Sequence, residues 1–206
     1  MGFGEGYSSA PNIPLLSVRL TERGFQHHYF DTGAQAVDWL DRELDNQSIG
    51  FGGSETLHEL GLYQRLRQHN QVYWHWECEE DRRPAFSAQV FLTSANGIAE
   101  SGEIVNIDAG GNRVAATIFG PQRLIFVVGI NKIVPDLAAA IYRARNIAAP
   151  QNCIRLHRNT PCTSSPGLCR DCRSPDRLCQ VMTIHYGKPL CIPKAEVLII
   201  GTPLGF

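Results

Sequence analysis

Four cysteines near the carboxyl end of the chain have a spacing suited to metal binding. Cys162, Cys169, Cys172 and Cys179 follow a C-x6-C-x2-C-x6-C pattern. The short gap of the inner pair lets one turn present two thiolates to the same metal, and the outer pair lies symmetrically around it. Zinc sites usually carry two close-spaced pairs, whereas ferredoxin-type runs are tighter and end in Cys-Pro. The spacing therefore predicts a four-thiolate site and leaves an iron–sulfur cluster and zinc both open.

The sequence around these cysteines is basic and poorly hydrophobic. Arg170, Arg173 and Arg177 lie inside the pattern, where their cations would offset an anionic centre. Residues 161–180 contain little apolar sequence, so we expect this Cys-rich insertion to be ordered mainly by its metal. The remaining cysteines fit no spacing and are expected to be ordinary buried thiols: Cys78, Cys153 and Cys191.

A second set of candidate residues follows the apolar segment 90–92 and extends to residue 113. Loops that gather polar side chains at strand ends, with glycine to permit close approach, more often bind ligands than pack a core. We therefore expect this stretch to contribute ligand-binding residues, and its candidates are Ser94, Asn96, Glu100, Asp108, Asn112 and Arg113.

A glycine loop before a predicted helix is the third candidate. A short strand runs into Gly50, Gly52, Gly53 and Ser54, and a helix is predicted from Thr56 to Gln68. Free N–H groups at such a helix start suit a phosphate or carboxylate, and these five residues, Thr56 included, are candidate ligand-binding residues. The loop matches neither the Walker pattern nor G-x-G-x-x-G. The alternative is a tight turn with Ser54 as helix cap.

Asn131 and Lys132 follow the most apolar run of the chain, Arg123–Gly129. Lys132 and the glycine loop would hold an anion, and Asn131 would orient it together with Asn96. Glu100 would act as general acid or base if burial raises its pKa. The alternative is that Glu100 and Lys132 form an ion pair that closes two loops. A structural pair is also expected between Asp108 and Arg113, the two charged residues of the preceding stretch.

The elements that must position these residues alternate between strands and helices as far as residue 147. This alternation predicts an α/β fold with a mostly parallel sheet flanked by helices. Because the run Arg123–Gly129 lacks alternation, we expect it to be an inner strand that is buried on both faces. Ligands of such sheets bind beyond the carboxyl ends of the strands, where the glycine loop, Glu100 and Lys132 would meet. We expect one domain over residues 1–206, with an N-terminal extension over residues 1–47.

Composition excludes several classes of function. The chain has 206 residues, with 19 Lys and Arg against 20 Asp and Glu, a balance that argues against a nucleic-acid-binding or membrane surface. No apolar run reaches the ~18 residues of a membrane span, and the first residues lack a signal-peptide layout. We therefore expect a cytoplasmic protein whose seven cysteines are not disulfide-bonded.

Several motifs resemble the LUD-domain family, the lactate-utilisation proteins. The resemblance covers about Ser48–Phe206. A branch of the family also carries the insertion Thr160-Pro161-Cys162 with the three later cysteines. The motifs are Ser94–Glu103, Asn106–Asp108 with Gly110–Arg113, Gly129–Val134 and Pro203–Phe206. Where the family pattern has Ala and Thr before its glutamate, this chain has Gly97 and Ala99, while Glu100 is kept.

The resemblance implies a fold related to the sugar-phosphate isomerases and CoA transferases. It also implies a link to a three-component, iron–sulfur-dependent L-lactate oxidation system, with other lactate-utilisation subunits as partners. This link favours a [4Fe-4S] cluster over zinc at the four cysteines. The expected ligand is a small anionic metabolite, such as a hydroxy acid, a keto acid or a phosphorylated compound. Two alternatives are a module that senses a metabolite or redox state, and a scaffold subunit with structural zinc.

Overall fold

The structure, a computed structural model, describes residues 10–164 and 169–206. The expectations that concern residues 1–9 and 165–168 lie outside this part of the chain. In chain order the strands are β1 (Gln26–Phe30), β2 (Ser48–Phe51), β3 (Gln71–Trp74), β4 (Val90–Thr93), β5 (Gly97–Ala99), β6 (Ile104–Asp108), β7 (Arg123–Gly129), β8 (Ile133–Val134), β9 (Val181–His185) and β10 (Lys194–Ile200). The helices are α1 (Ile13–Glu22), α2 (Gly33–Glu43), α3 (Glu55–Glu59), α4 (Leu62–Leu66), α5 (Arg82–Phe86), α6 (Asn112–Ile118), α7 (Leu137–Arg143), α8 (Ala149–Arg155) and α9 (Pro161–Ser164).

The main sheet of the described chain contains six parallel strands in the order β1-β10-β7-β4-β2-β3. β7 pairs with β10 on one side and with β4 on the other, which confirms the predicted inner strand. Phe126 and Val128 pack into the apolar cluster on one face of the sheet, and Ile125 and Val127 pack into the cluster on the opposite face. Because both faces are covered, the strand needs apolar residues at every position. The predicted α/β class is therefore confirmed.

A smaller sheet lies beside the main one, in the order β8-β5-β6-β9. β6 is antiparallel to both of its neighbours, whereas β5 and β8 are parallel. The chain thus leaves the main sheet after β4, and residues 97–108 form strands of the smaller sheet. The carboxyl ends of β5 and β6 therefore do not lie beside those of β2, β4 and β7.

The predicted helix from Thr56 to Gln68 is wrong, because it is two short helices. Gly61 has φ +62°, a left-handed conformation that ends α3 and starts α4. A longer helical stretch follows β8: α7 and α8 are continuous through a π-helical turn at Ala144–Ala148. π-helical turns often occur at functional sites, and this one faces the two cavities described below. No helix in residues 10–164 and 169–206 is long and apolar enough to cross a membrane.

A buried charge cluster joins the amino ends of β10 and β7. The Glu196 side chain is fully buried, and its carboxylate binds the guanidinium of Arg123, with Lys194 Nζ at 3.0 Å. Burial alone would raise the pKa of Glu196, but hydrogen bonding and charge from Arg123 outweigh it and hold the pKa below its ordinary value. The carboxylate therefore stays ionised inside the sheet.

We predict that Glu196→Gln lowers the free energy of unfolding by about 3 kcal/mol, because it removes the buried carboxylate that pairs with Arg123 and leaves only the partly exposed Glu43, at 3.6 Å, as an ion-pair partner in the described residues. Urea denaturation at pH 7 measures the change. Lys194→Met is the control: its side chain is 38% exposed, so its loss should cost less than about 1 kcal/mol. A Glu196→Gln protein as stable as the wild type would contradict this account.

Candidate functional site

A cavity of about 400 Å³ opens beyond the carboxyl ends of β2 and β4, next to the turn that follows β7. We call it the lysine cavity. Its remaining walls come from the small sheet at Ile107 and Asp108 and from α8 at Ala149. The candidate residues that line it are Gly53, Ser54, Ser94, Asn96, Asp108, Asn112, Arg113 and Lys132.

Lys132 is buried in the wall of this cavity, with 3% of its surface exposed. Its Nζ donates hydrogen bonds to Thr56 Oγ1 at 2.7 Å and to Ser94 Oγ at 2.9 Å. No carboxylate in the described part of the chain forms an ion pair with it. Burial, followed by the nearby cations of Arg143 and Arg113, lowers the pKa of Lys132 to about 7. The amine therefore exists in comparable charged and neutral populations near neutral pH.

Arg113 is a structural clamp between the two sheets. Its guanidinium donates to Asn106 Oδ1 at 2.6 Å, to the Ile107 carbonyl at 2.6 Å and, more weakly, to Asn96 Oδ1 at 3.4 Å. Asp108 lies 3.9 Å away, the pairing expected from the sequence. Because these groups occupy its N–H donors, Arg113 contributes mainly positive charge to the cavity and few free hydrogen-bond donors.

The charges that line the lysine cavity do not cancel. Arg82 pairs with Glu79, Arg155 pairs with Glu55 at 3.1 Å, and Arg113 pairs with Asp108. Lys132 and Arg158 line the cavity without an ion pair in the described residues. A buried or enclosed positive charge without a counter-charge favours an anionic ligand.

The glycine loop contributes to this site mainly by its shape. A Cβ on Gly50 would lie 2.1 Å from the carbonyl oxygen of Ala85, and one on Gly52 would lie 2.7 Å from Cγ of Arg113. Gly50 and Gly52 therefore allow Ala85 and Arg113 to pack closely against the loop, while Gly53 and Ser54 line the cavity. Ser54 Oγ accepts the N–H of Leu57, so Ser54 is the helix cap of the alternative interpretation. Thr56 lies behind Lys132 as its hydrogen-bond acceptor.

Besides Gly50, Gly52 and Thr56, the candidates Glu100 and Asn131 do not line the lysine cavity. Glu100 follows β5, which belongs to the small sheet, and its carboxylate accepts the N–H of Asn12 at 2.8 Å. No ion pair between Glu100 and Lys132 is present in the described residues. Asn131 binds the C-terminal segment through Leu204 N at 3.1 Å and Gly205 O at 3.2 Å. The structure therefore gives both side chains contacts that connect chain segments.

A second cavity, of about 290 Å³, is lined by all four cysteines of the spaced pattern. We call it the cysteine cavity. Arg145, on the π-helical turn, donates to Cys169 Sγ at 3.6 Å, and the N–H of Asp171 donates to the same sulfur at 3.4 Å. Burial and the neighbouring thiols raise the pKa of Cys179 to about 11, so this thiol is neutral without a metal.

The donor set of the cysteine cavity fits a thiolate-bound metal centre. Thiolates with N–H donors aimed at sulfur and guanidinium groups nearby are the surroundings that such centres require. In the part of the chain that the structure describes, however, no three His, Cys, Asp or Glu side chains converge on one metal position. The sulfurs share a cavity without forming a closed ligand shell.

The structure also brings together residues that the sequence patterns did not single out. Cys153 was expected to be an ordinary buried thiol; it is buried, but it lines the cysteine cavity. Cys78 and Cys191 were expected to be buried and are exposed. In the lysine cavity, the unforeseen lining residues are His75, Trp76, Arg82, Arg155 and Arg158. Arg143, buried in α7, adds a further cation near Lys132. The sequence signal that could have identified Arg143 is a charged residue on the apolar face of a predicted helix.

The two cavities share a wall. Ile107, Ala149 and Leu178 line both of them, so one layer of side chains separates the lysine cavity from the cysteine cavity. The helical stretch from α7 to α8 runs along both: Ala148 faces the first, and Arg145 and Cys153 face the second.

Comparison with known proteins agrees with the fold. A crystal structure of a DUF162 family protein from Deinococcus radiodurans superposes with a TM-score of 0.54 at 14% identity, covering 92% of this chain and 96% of that one. Among curated proteins, the uncharacterized protein YkgG of Escherichia coli (strain K12) is 32% identical over 108 residues. That alignment covers 51% of this chain and 46% of YkgG, so it spans about half the length of each.

The family match extends over most of the described fold. The LUD domain model matches residues 13–200, from the start of α1 to the end of β10, and thus includes every lining residue of both cavities except Phe206. The chain belongs to the LUD domain family.

Proposed function

We propose that this protein binds a small anionic metabolite in the lysine cavity and carries an iron–sulfur cluster on Cys162, Cys169, Cys172 and Cys179. It would act as a component of a redox enzyme of the lactate-utilisation type, with a hydroxy acid, a keto acid or a phosphorylated compound as ligand. One observation carries the proposal: buried Lys132 lacks a carboxylate partner in the described residues, in a cavity one side-chain layer from five cysteines.

The first step is anion binding. A buried ammonium group without a counter-charge must either lose its proton or gain an anion. The positive charges of Arg113 and Arg143 near Lys132 make a bound anion more favourable still. Trp76 provides an aromatic surface in the cavity lining, and the guanidinium of Arg155 lies 4.6 Å from its ring centroid. A small acid with one apolar face matches both surfaces.

The second part of the proposal concerns the residues that would hold the cluster. When bound, an iron–sulfur cluster would supply one-electron transfer. Arg145 and the N–H of Asp171 stabilise negative charge on Cys169, and Arg177 binds the carbonyl groups of Cys172 and Cys179 at 2.6 and 2.9 Å. The Arg145 contact holds Cys169 against the π-helical turn, and the Arg177 contacts join Cys172 to Cys179. Ile107, Ala149 and Leu178 would separate a ligand in the lysine cavity from a cluster held by the four cysteines.

We predict that small carboxylates bind in a Lys132-dependent and pH-dependent manner. The anion binds the ammonium form, whose population falls above the Lys132 pKa of about 7. Affinity for lactate or pyruvate should therefore be highest below pH 7 and fall by up to about tenfold per pH unit above it. Isothermal titration calorimetry from pH 6 to 9 measures this dependence.

The matched variants for this titration are Lys132→Met and Lys188→Met. Lys132→Met should weaken binding at pH 6.5 by at least about tenfold and remove the pH dependence. Lys188 lies outside both cavities and donates to the Ile192 carbonyl, so Lys188→Met should bind as the wild type does. Equal affinity in Lys132→Met and wild type would refute anion binding at this site.

We predict that anaerobically purified protein is coloured and contains about four irons per chain. Cys169→Ser should lose the visible absorption and loosen residues 161–180 while the α/β core stays folded, as measured by iron analysis and hydrogen exchange. Cys191→Ser, at an exposed position, should keep both iron and colour. Colourless protein with one tightly held zinc per chain would reject the cluster and favour the scaffold function.

A further inference from the structure

The chain uses lysine sparingly, and one lysine is in an unusual place. It contains three lysines against sixteen arginines. Lys188 donates to the Ile192 carbonyl, and Lys194 pairs with Glu196. Of the three, Lys132 lines the lysine cavity, whereas Lys188 and Lys194 line neither the lysine cavity nor the cysteine cavity. Arginine supplies almost every other cation of this protein, yet it cannot lose its proton, whereas a buried lysine can.

The surroundings of Lys132 leave its nitrogen available to a ligand. Two hydroxyl groups, Thr56 Oγ1 and Ser94 Oγ, accept its hydrogen bonds. Thr56 Oγ1 also donates to the Leu204 carbonyl at 3.4 Å, which orients this hydroxyl as an acceptor toward the amine. A primary amine has a further position on nitrogen, an N–H or a lone pair, and Lys132 lines the cavity. Burial disfavours the charged form, which activates such an amine as a nucleophile.

We propose that Lys132 is a catalytic nucleophile that forms a covalent imine with a 2-oxo carboxylate, an inference that rests on the proposed binding of a small anion in the lysine cavity. The neutral Nζ attacks the carbonyl carbon as the C=O π bond breaks; the nitrogen loses one proton and the oxygen gains one, which gives a neutral carbinolamine. The carbinolamine hydroxyl then takes up one proton from solvent and leaves as water, so the net reaction consumes one proton. A protonated C=N bond joins Nζ to the former carbonyl carbon, and no oxidant or reductant is consumed.

The charge of the cavity selects this class of carbonyl compound. A protonated imine keeps the positive charge of Lys132 beside the carboxylate of the same molecule, which provides the counter-charge that the described residues lack. Arg158, which is exposed and has no ion pair in the described residues, adds a second cation to the lining that can bind the carboxylate. A 2-hydroxy acid would bind as an anion but has no ketone or aldehyde carbon for the amine to attack.

Reductive trapping tests the proposal. The full-length protein is incubated with pyruvate or glyoxylate and sodium cyanoborohydride, digested, and analysed by mass spectrometry. We expect one reduced adduct per chain on the peptide that contains Lys132. The peptides of Lys188 and Lys194 serve as internal controls and should carry at least tenfold less. Lactate, which has no ketone or aldehyde carbonyl, should give no adduct. Lys132→Arg, which keeps a cation and is first checked by circular dichroism, should also give none.

The outcomes separate this inference from the proposed function. Pyruvate that binds by calorimetry but leaves no adduct on the wild-type Lys132 peptide would overturn the imine and leave anion binding intact. Absence of any calorimetric binding would overturn the proposed function itself. Equal labelling of all three lysines would overturn a specific nucleophile. An adduct with glycolaldehyde phosphate but not with either 2-oxo acid would overturn the carboxylate class.

Discussion

The geometry of the lysine cavity depends on the hydrogen bonds of the Lys132 amine. Through hydrogen bonds of 2.7 and 2.9 Å the amine connects the turn after β7 to Thr56 in α3 and to Ser94 after β4. Three segments that follow separate strands of one parallel sheet are thereby held around a single nitrogen. The two hydroxyls accept two of its hydrogen bonds but do not balance its charge. Burial, followed by the nearby cations of Arg143 and Arg113, lowers the pKa of Lys132 and makes the site responsive to an anion.

The cations around Lys132 differ in how much of their capacity the protein itself uses. Arg113 donates to several oxygens of the two sheets, and Arg143 binds the carbonyl groups of Asn96 and Asn131. Both are buried and hold the backbone, so they contribute potential without being free to move. Lys132 is bound only to hydroxyl groups, which can serve equally as donors or acceptors. It is therefore the cation of this group that can change partner or protonation state.

The lysine cavity and the cysteine cavity are structurally connected because the helical stretch from α7 to α8 borders both. The π-helical turn at Ala144–Ala148 lies between α7, which packs on β5 and β6, and α8, which carries Cys153. An extra residue in a helical turn changes the direction of the side chains that follow it. Arg145 and Asn146 are thereby available to the cysteine segment, where Asn146 Oδ1 accepts the N–H of Cys169 at 2.8 Å. Ala148 and Ala149 meanwhile form a thin part of the wall.

The buried inner strand and the grouping of the cysteines could be predicted from the sequence, because their signals are local. The unalternating run at β7 indicated a strand buried on both faces, and the cysteine spacing indicated thiols that share one region. Only the tertiary structure decided which residues meet. Glu100 is close to Asn96 in sequence but follows β5 of the second sheet, and strand pairing, not sequence spacing, places its carboxylate next to the N–H of Asn12. Cys153 and Arg143 fit no sequence motif. Packing between segments distant in sequence places Cys153 in the lining of the cysteine cavity and Arg143 near Lys132.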